Sequence, residues 1–487
     1  MPLRDQLSAR KDNSQQHAPT RDPFHLDNPL LYLSSYDAWS IRDACEGVQI
    51  FGAIGSGKTS GSGAAIAQSF LRSGFGGLVL CAKPEERLLW EQYAQQTGRS
   101  NHLVIVSPQQ PWRFNYLDYE LRREGKGGGL TENLVALLTG ITEIVEGKQD
   151  QAGGDRFWDR AMRELLRNAI DLLALAKGTL TLEEICTLIL DAPQSPDDVG
   201  SPRWQQTSFC AQCIAEANEK KKTQRETHDF EMAVRYWLKS YATLSDRTRT
   251  SIVATFTSIA DILLHGLAWE LFCTGTNLVP EVTYKDGIII VLDLPVQEYH
   301  ELGRIAQGIF KYMFQRAILR RDASKYPRPV FLWADESQNF ISSFDYQYQA
   351  VARSARACTV YLTQNISNYY SVLGARGRDE ANALLGNFQT KIFHANSDHP
   401  TNQYAADIIS QEQTTTYNYS SSSNGQGGST SAGGSDTVRY KVLPAAFTTL
   451  RKGGPANGLQ VDSILFQGGR IWHATGDTWL KTTFRQR

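Results

Sequence analysis

Long hydrophobic runs are missing from this sequence. No apolar stretch exceeds five residues, and Ile288–Leu292 stops at Asp293, far short of the ~18–20 residues of a membrane span. The first twenty residues are polar and lack the apolar segment of a secretory signal, so a chain without N-terminal transmembrane helices is expected. Cysteine is sparse, at seven residues without framework spacing, which excludes a disulfide scaffold and reads as a reduced, cytosolic protein. Charge of one sign is lacking too: 50 basic against 51 acidic residues leave a net charge of −1. A globally basic nucleic-acid coat is thereby excluded, and any DNA contact must use a local patch or pore. No Ser/His/Asp or Cys/His catalytic set is visible.

What is present is length and alternation. The 487 residues suffice for two or three units, or for one long α/β domain with an insertion. Short β-like runs alternate with helical patterns: Val48–Phe51, Leu78–Cys81, Leu103–Val106, Ile288–Leu292, Val330–Ala334 and Thr359–Thr363, with Thr390–His394 as a seventh candidate. Each is brief and apolar or β-branched, as a parallel strand buried on both faces reads. The expected fold is α/β, a mainly parallel sheet with helices on both faces.

Between the third and fourth runs the strand signal fades. Phe157, Ala161, Leu165, Ala169 and Leu173 recur every four residues, and similar apolar faces cover Leu180–Leu190, Phe209–Ala217, Phe230–Tyr241 and Ile252–Leu264. The expected organisation is a disordered arm over 1–21, a nucleotide-binding domain from 22–124 and 281–487, and an inserted all-α domain over 125–280. Three prolines in Asp191–Pro202 suggest a linker between two halves of that insertion. The Ser/Thr/Gly/Gln-rich stretch Gln411–Asp436 reads as a flexible loop or hairpin tip. Residues 437–487 carry eight Lys/Arg against two Asp/Glu, and Gln460–Trp472 suggests a small β element.

The clearest chemistry lies at Gly52-Ala-Ile-Gly55-Ser56-Gly57-Lys58-Thr59-Ser60, which fits G-x-x-x-x-G-K-[ST] between a strand and a helical stretch. Glycines let backbone N–H groups curl around a phosphate, and the helix N-terminus favours the negative charge. Lys58 would bridge the β- and γ-phosphates, and Thr59 would ligate Mg²⁺. ATP and Mg²⁺ are the implied cofactors. The second half of such a site is acidic and ends a buried strand; Asp335-Glu336 after Val330–Ala334 supplies it. Asp335 would hold Mg²⁺, and Glu336 would orient and deprotonate the attacking water, which favours hydrolysis over kinase chemistry. Gln364, directly after Thr359–Thr363, is placed to sense the γ-phosphate. Arg353 and Arg356, read as lying on the preceding helix, are alternatives for a trans-acting arginine finger.

These residues resemble the type IV coupling proteins, the TraD/TraG-like ATPases of conjugative DNA transfer. Cys81-Ala-Lys83-Pro-Glu85 is similar to the family's Asp-x-Lys-x-Glu stretch, and Trp112-Arg-Phe-Asn115-Tyr-Leu117 to its Phe-Asn-Pro-Leu stretch. Phe157-Trp158 with Ala161, Asp335-Glu336-Ser-Gln338-Asn339-Phe340, and the Arg353-to-Gln364 spacing extend the resemblance over about residues 30–470. It favours Arg353 as the finger. Cys81 stands where the family has Asp, and Arg356 where a Gly is usual. The resemblance implies a RecA-like motor domain with an inserted all-α domain, a homo-hexameric ring, and ATP-driven DNA movement. It also implies delivery of a relaxase–DNA substrate to a type IV secretion channel. Without a membrane segment, the expected location is cytoplasmic, at most peripheral to the membrane through partners. A HerA/FtsK-like DNA motor in repair, packaging or defence, or a nucleotide-switched docking receptor for protein cargo, are the alternatives.

Weaker signals have plainer readings. Cys210-Ala-Gln-Cys213 lacks a second ligand pair for zinc. Lys220-Lys221-Lys222 is flanked by glutamates and reads as a solvated helix face. Arg376 and Arg378 sit in a glycine-containing loop that could face a pore.

Overall fold

The computed structural model describes residues 22–146, 156–374, 377–424 and 427–486; the expected arm 1–21 and Arg376 lie outside them. Nine strands form one sheet, numbered here in chain order: β1 Val48–Phe51, β2 Gly76–Leu80, β3 Leu103–Val106, β4 Ile289–Leu292, β5 Val330–Ala334, β6 Ala357–Thr363, β7 Thr390–Phe393, β8 Gln460–Gln467 and β9 Trp479–Arg485. Their spatial order is β9-β8-β7-β1-β6-β5-β2-β4-β3. β1 to β7 pair in parallel, and β8 and β9 extend one edge antiparallel. The β element expected over Gln460–Trp472 is present as β8, and it continues the main sheet.

The alternation of side chains along the strands divides the interior. Leu78, Leu80, Leu332 and Ala334 face a core shared with the helical insertion. Val79, Phe331, Trp333, Val360 and Leu362 face the opposite core, against Ile66 and Phe70 of the helix after β1. This period of two is what a strand covered on both faces requires.

The insertion between β3 and β4 is helical, from Thr131–Glu146 and Arg156–Lys177 to Asp246–Leu264 and Gly266–Phe272. Its apolar residues join one continuous cluster with the sheet and the long helix Val296–Arg320. The stretch Asp191–Pro202 is itself ordered. It contains the short helix Pro196–Gly200, and the Asp191 carbonyl accepts from Trp204 Nε1 at 2.9 Å and Ser208 Oγ at 2.7 Å. These bonds tie the turn to the helices that follow it.

Gln411–Asp436 falls in a long antiparallel ribbon, Gln411–Asn424 with Gly427–Tyr440, so of the two expectations the hairpin holds, and it is longer than a tip. Cys210 and Cys213 are both buried on the helix Phe209–Glu219, and burial pushes the Cys213 thiol up to about 11. Lys222 lies over the Phe230 ring at 4.7 Å, and Arg378 over Tyr370 at 5.4 Å. Among the described residues, no single helix is long and apolar enough to cross a membrane.

Candidate nucleotide site

The C-terminal ends of β1, β5 and β6 and the turn after β2 converge on one cleft. After β1, Gly52 donates to Thr363 O at 3.3 Å and Ala53 to Ala395 O at 3.0 Å, which anchors the loop between β6 and β7. Gly55 and Gly57 take φ of +71° and +84°, the region open to glycine at little cost. At Gly57 the crowding is also steric, since a Cβ there would lie 2.5 Å from Val461 Cγ2 of β8. Lys58 and Thr59 then open a wide π-type turn, Thr59–Gly63, that runs into the helix Ala64–Arg72. The loop, with Lys83 and Glu336, lines a cleft of 270 Å³. A neighbouring cleft of 300 Å³ shares Lys83 and Glu336 and adds Gln338 and Gln364.

Lys58 Nζ lies 3.3 Å from Glu336 Oε1 and 3.7 Å from Asp335 Oδ1. The Thr59 hydroxyl donates to Asp335 Oδ2 at 2.5 Å. Glu336 adopts φ 48°, ψ 47°, a left-handed conformation that costs a non-glycine residue about 1–2 kcal/mol. The turn swings its carboxylate into the cleft while Asp335 Oδ1 accepts from the Glu336 N–H at 2.8 Å. Lys83 Nζ approaches Glu336 Oε1 at 3.1 Å, and Gln338 Nε2 donates to Oε2 at 3.0 Å. Gln364 Nε2 stands 3.4 and 3.5 Å from the same two oxygens. Burial alone would raise the Glu336 carboxyl, but Lys58, Gln338 and Lys83 outweigh it and hold it at about 2. It is thus an ionised group with strongly reduced basicity.

The structure thus brings together Lys58, Thr59, Asp335, Glu336 and Gln364. Ser56 is buried, and its hydroxyl has no hydrogen-bond partner among the described residues. Ser60 is engaged elsewhere, accepting from Gln486 Nε2 at 2.6 Å. Arg353 and Arg356 are not on a helix. The helix Ser343–Val351 ends before them, and both occupy the turn that leads into β6. Arg353 is largely exposed and pairs with Glu46 at 3.1 Å. Arg356 sits at φ 49°, its guanidinium fixed on Phe24 O and Pro327 O, each at 2.9 Å. The Arg356 guanidinium is thus held by two backbone carbonyls, whereas that of Arg353 is held by one carboxylate and is more exposed.

Four contributors carried little sequence signal. Lys83 was visible only as part of the stretch after β2. Glu86 is buried with Oε2 accepting from the Ala82 N–H at 3.1 Å; burial, then the charge of Asp335, pushes its carboxyl well up. Gln338 bridges Glu336 and Thr363, whose hydroxyl donates to Gln338 Oε1 at 2.8 Å. His394 lies beneath the loop, with Nδ1 on Asp462 O at 3.1 Å and Nε2 on Ser62 Oγ at 2.7 Å. A carbonyl only accepts, so Nδ1 carries the proton and Nε2 accepts from Ser62. Burial lowers this imidazole to about 4, so it stays neutral beside Lys58.

A parallel sheet with this loop after one strand, and an Asp-Glu pair two strands away, defines a RecA-like P-loop NTPase. Solved structures carry the same fold. One is described as the bacterial conjugative coupling protein TrwBdeltaN70, at TM-score 0.60 and 15% identity over 91% of this chain and 87% of that one. Another is the plasmid coupling protein TrwB in complex with ADP and Mg²⁺, at TM-score 0.59 and 14% identity over 95% and 91%. TrwB with the ATP analogue ADPNP matches at TM-score 0.58 and 15% identity over 92% and 87%. Residues 329–447 match the family model described as the TraM recognition site of TraD and TraG. Among curated proteins no sequence matches. The chain thus shares its fold with the TrwB structures and, over residues 329–447, a segment described for TraD and TraG.

Proposed function

We propose that this protein is a coupling ATPase that hydrolyses ATP to move DNA and to link a relaxase–DNA substrate to a type IV secretion channel. The observation that carries its chemistry is the meeting of Lys58, Thr59, Asp335, Glu336 and Gln364 in one cleft. The residues fit a nucleoside triphosphate: the loop's glycines leave its amides accessible, and the buried Ser56 hydroxyl lacks a partner among the described residues. They also fit Mg²⁺, whose oxygen donors would be Thr59 and Asp335. Bound there, the ion would neutralise charge building on the β- and γ-phosphates.

Glu336 orients the attacking water, and Gln364 holds the same carboxylate from β6. Paired with two lysines, Glu336 is a poor base. A γ-phosphate drawing Lys58 away removes one of those cations, and the carboxylate gains basicity where water must be deprotonated. Water then displaces ADP from the γ-phosphorus, and its proton passes to Glu336. Arg353 precedes the seven-residue β6, whose other end carries Gln364, a separation of roughly 20 Å at ~3.3 Å per residue. It cannot serve its own cleft, so the finger role belongs to a neighbour in a ring, for which a homo-hexamer is the proposed form. The net charge of −1 leaves DNA to be gripped in a channel rather than on a basic exterior. We place the protein in the cytoplasm, held near the membrane by relaxosome and channel partners.

Steady-state ATP hydrolysis with and without single- and double-stranded DNA tests this reading. Strong stimulation by DNA, lost in Glu336→Gln, is the expected result. Hydrolysis indifferent to DNA, with tight relaxase binding, would replace the motor with a docking receptor.

A further inference from the structure

The side chain of Gln486, one residue past β9, belongs to none of the phosphate chemistry above. Its Nε2 donates to Ser60 Oγ at 2.6 Å, and its Oε1 accepts from the Gly454 N–H at 2.5 Å. Its backbone N–H donates to Leu459 O at 2.7 Å. The turn 453–459 is shaped around this carboxamide: a Cβ on Gly453 would lie 2.1 Å from Gln486 Oε1. Leu459 is driven to φ 56° to complete the turn, a conformation that disfavours a branched side chain.

Sheet polarity places this contact. β8 starts, and β9 ends, at the edge where the P-loop leaves β1, since Gln460 pairs with Arg485 and β8 runs antiparallel to β7. Asp335 and Glu336 lie two strands from β1 on one side. β8 and β9 lie on its other side. A triphosphate whose γ-end met Lys58 and Glu336 would therefore turn its opposite end to the side of β1 where Ser60 meets Gln486.

We propose that Gln486 is a nucleoside-binding residue, its carboxamide hydrogen-bonding the ribose or base edge of the bound nucleotide beside Ser60. This rests on the nucleotide-site reading above. With Ser60 and Gly454 each taking one valence, the second Nε2 hydrogen and the second lone pair of Oε1 are the donor and acceptor that a ribose hydroxyl or a base edge requires. The turn 453–459 and the Ser60 contact hold it in place beforehand, so little ordering cost remains on binding.

Calorimetric titration of the full chain with Mg²⁺-ADP and with Mg²⁺-pyrophosphate separates the possibilities, because pyrophosphate lacks the nucleoside. For Gln486→Ala, ADP affinity should fall about five- to tenfold, the weight of one hydrogen bond, with pyrophosphate affinity unchanged. Unchanged ADP affinity would overturn the proposal. Equal weakening of both ligands would also overturn it and leave Gln486 as a brace for the P-loop turn. If Gln486→Ala does not fold, Gln486→Asn, which keeps the amide but shortens its reach, must show the same selective loss. Wild-type protein that binds neither ligand would refute the nucleotide site itself, whereas binding of both without a selective effect refutes only the role of Gln486.

Discussion

Two buried lysine–carboxylate clusters, Lys311 with Asp345 and Lys58 with Asp335 and Glu336, are built in opposite ways. Lys311, on the helix Val296–Arg320, donates to Asp345 Oδ2 at 2.5 Å and Phe340 O at 2.6 Å. Asp345 also receives Gln315 Nε2 at 2.7 Å, Tyr361 OH at 2.7 Å and both the N–H and hydroxyl of Ser342 at 2.6 and 3.1 Å. Burial alone would raise this carboxyl, but Lys311 first, then Tyr361 and Ser342, pull it below its ordinary value. Both oxygens of that carboxylate are thus met by donors of the chain itself. Lys58 instead stands 3.3 and 3.7 Å from its carboxylates on the wall of an open cleft. The residue types are the same in both. A carboxylate met by donors at both oxygens makes a brace, whereas a looser cation over a concave surface makes a site.

The largest effect expected at the loose cluster comes from Lys58→Ala: turnover falls to background while the melting temperature changes little. Normal hydrolysis in that variant would erase the distinction between the clusters. Glu336→Gln should slow hydrolysis by about 10²–10⁴-fold, the usual weight of a general base, while ATP still binds; equilibrium binding of a fluorescent ATP analogue checks the second half. At the tight cluster, Asp345→Ala should cost about 3–5 kcal/mol of stability, since it strands a buried ammonium, as a urea midpoint would show. Replacing both partners, Lys311→Met with Asp345→Leu, should recover much of that loss. Because the Asp345 carboxyl is depressed in the fold, its stabilisation is complete above pH ~4 and is lost as the pH falls through its folded value. The gap between wild type and Asp345→Ala should therefore narrow in acid. The smallest effect belongs to Lys83→Ala. Removing one cation lets the Glu336 carboxyl rise, so the acid limb of the rate profile should move up by about one pH unit; an unmoved limb would show that Lys83 does not tune Glu336.

Residues whose neighbours are local in sequence were the legible ones. Seven parallel strands showed as short apolar runs because each is buried on both faces, and the P-loop and Asp335-Glu336 showed because their spacing is set by local backbone. Gln411–Tyr440 was harder to read: serine and glycine carry little strand propensity, and only cross-strand pairing makes the ribbon. The left-handed turn at Arg356 has no marker when glycine is absent, so the arginines were put on a helix. Lys83 and Gln338 showed only within stretches similar to the coupling-protein family, while Glu86 and His394 make their contacts through the fold and no local pattern announces them.

The contact between Gly57 and Val461 has a consequence for synthesis. The two residues are separated by roughly 400 positions, which at ~5–20 residues per second take about 20–80 s to add during translation. Throughout that interval the nascent P-loop lacks the strand that packs against it. A polypeptide emerging from the ribosome thus acquires its nucleotide cleft late, after the helical insertion has had time to fold, and premature ligand capture by the first hundred residues is disfavoured.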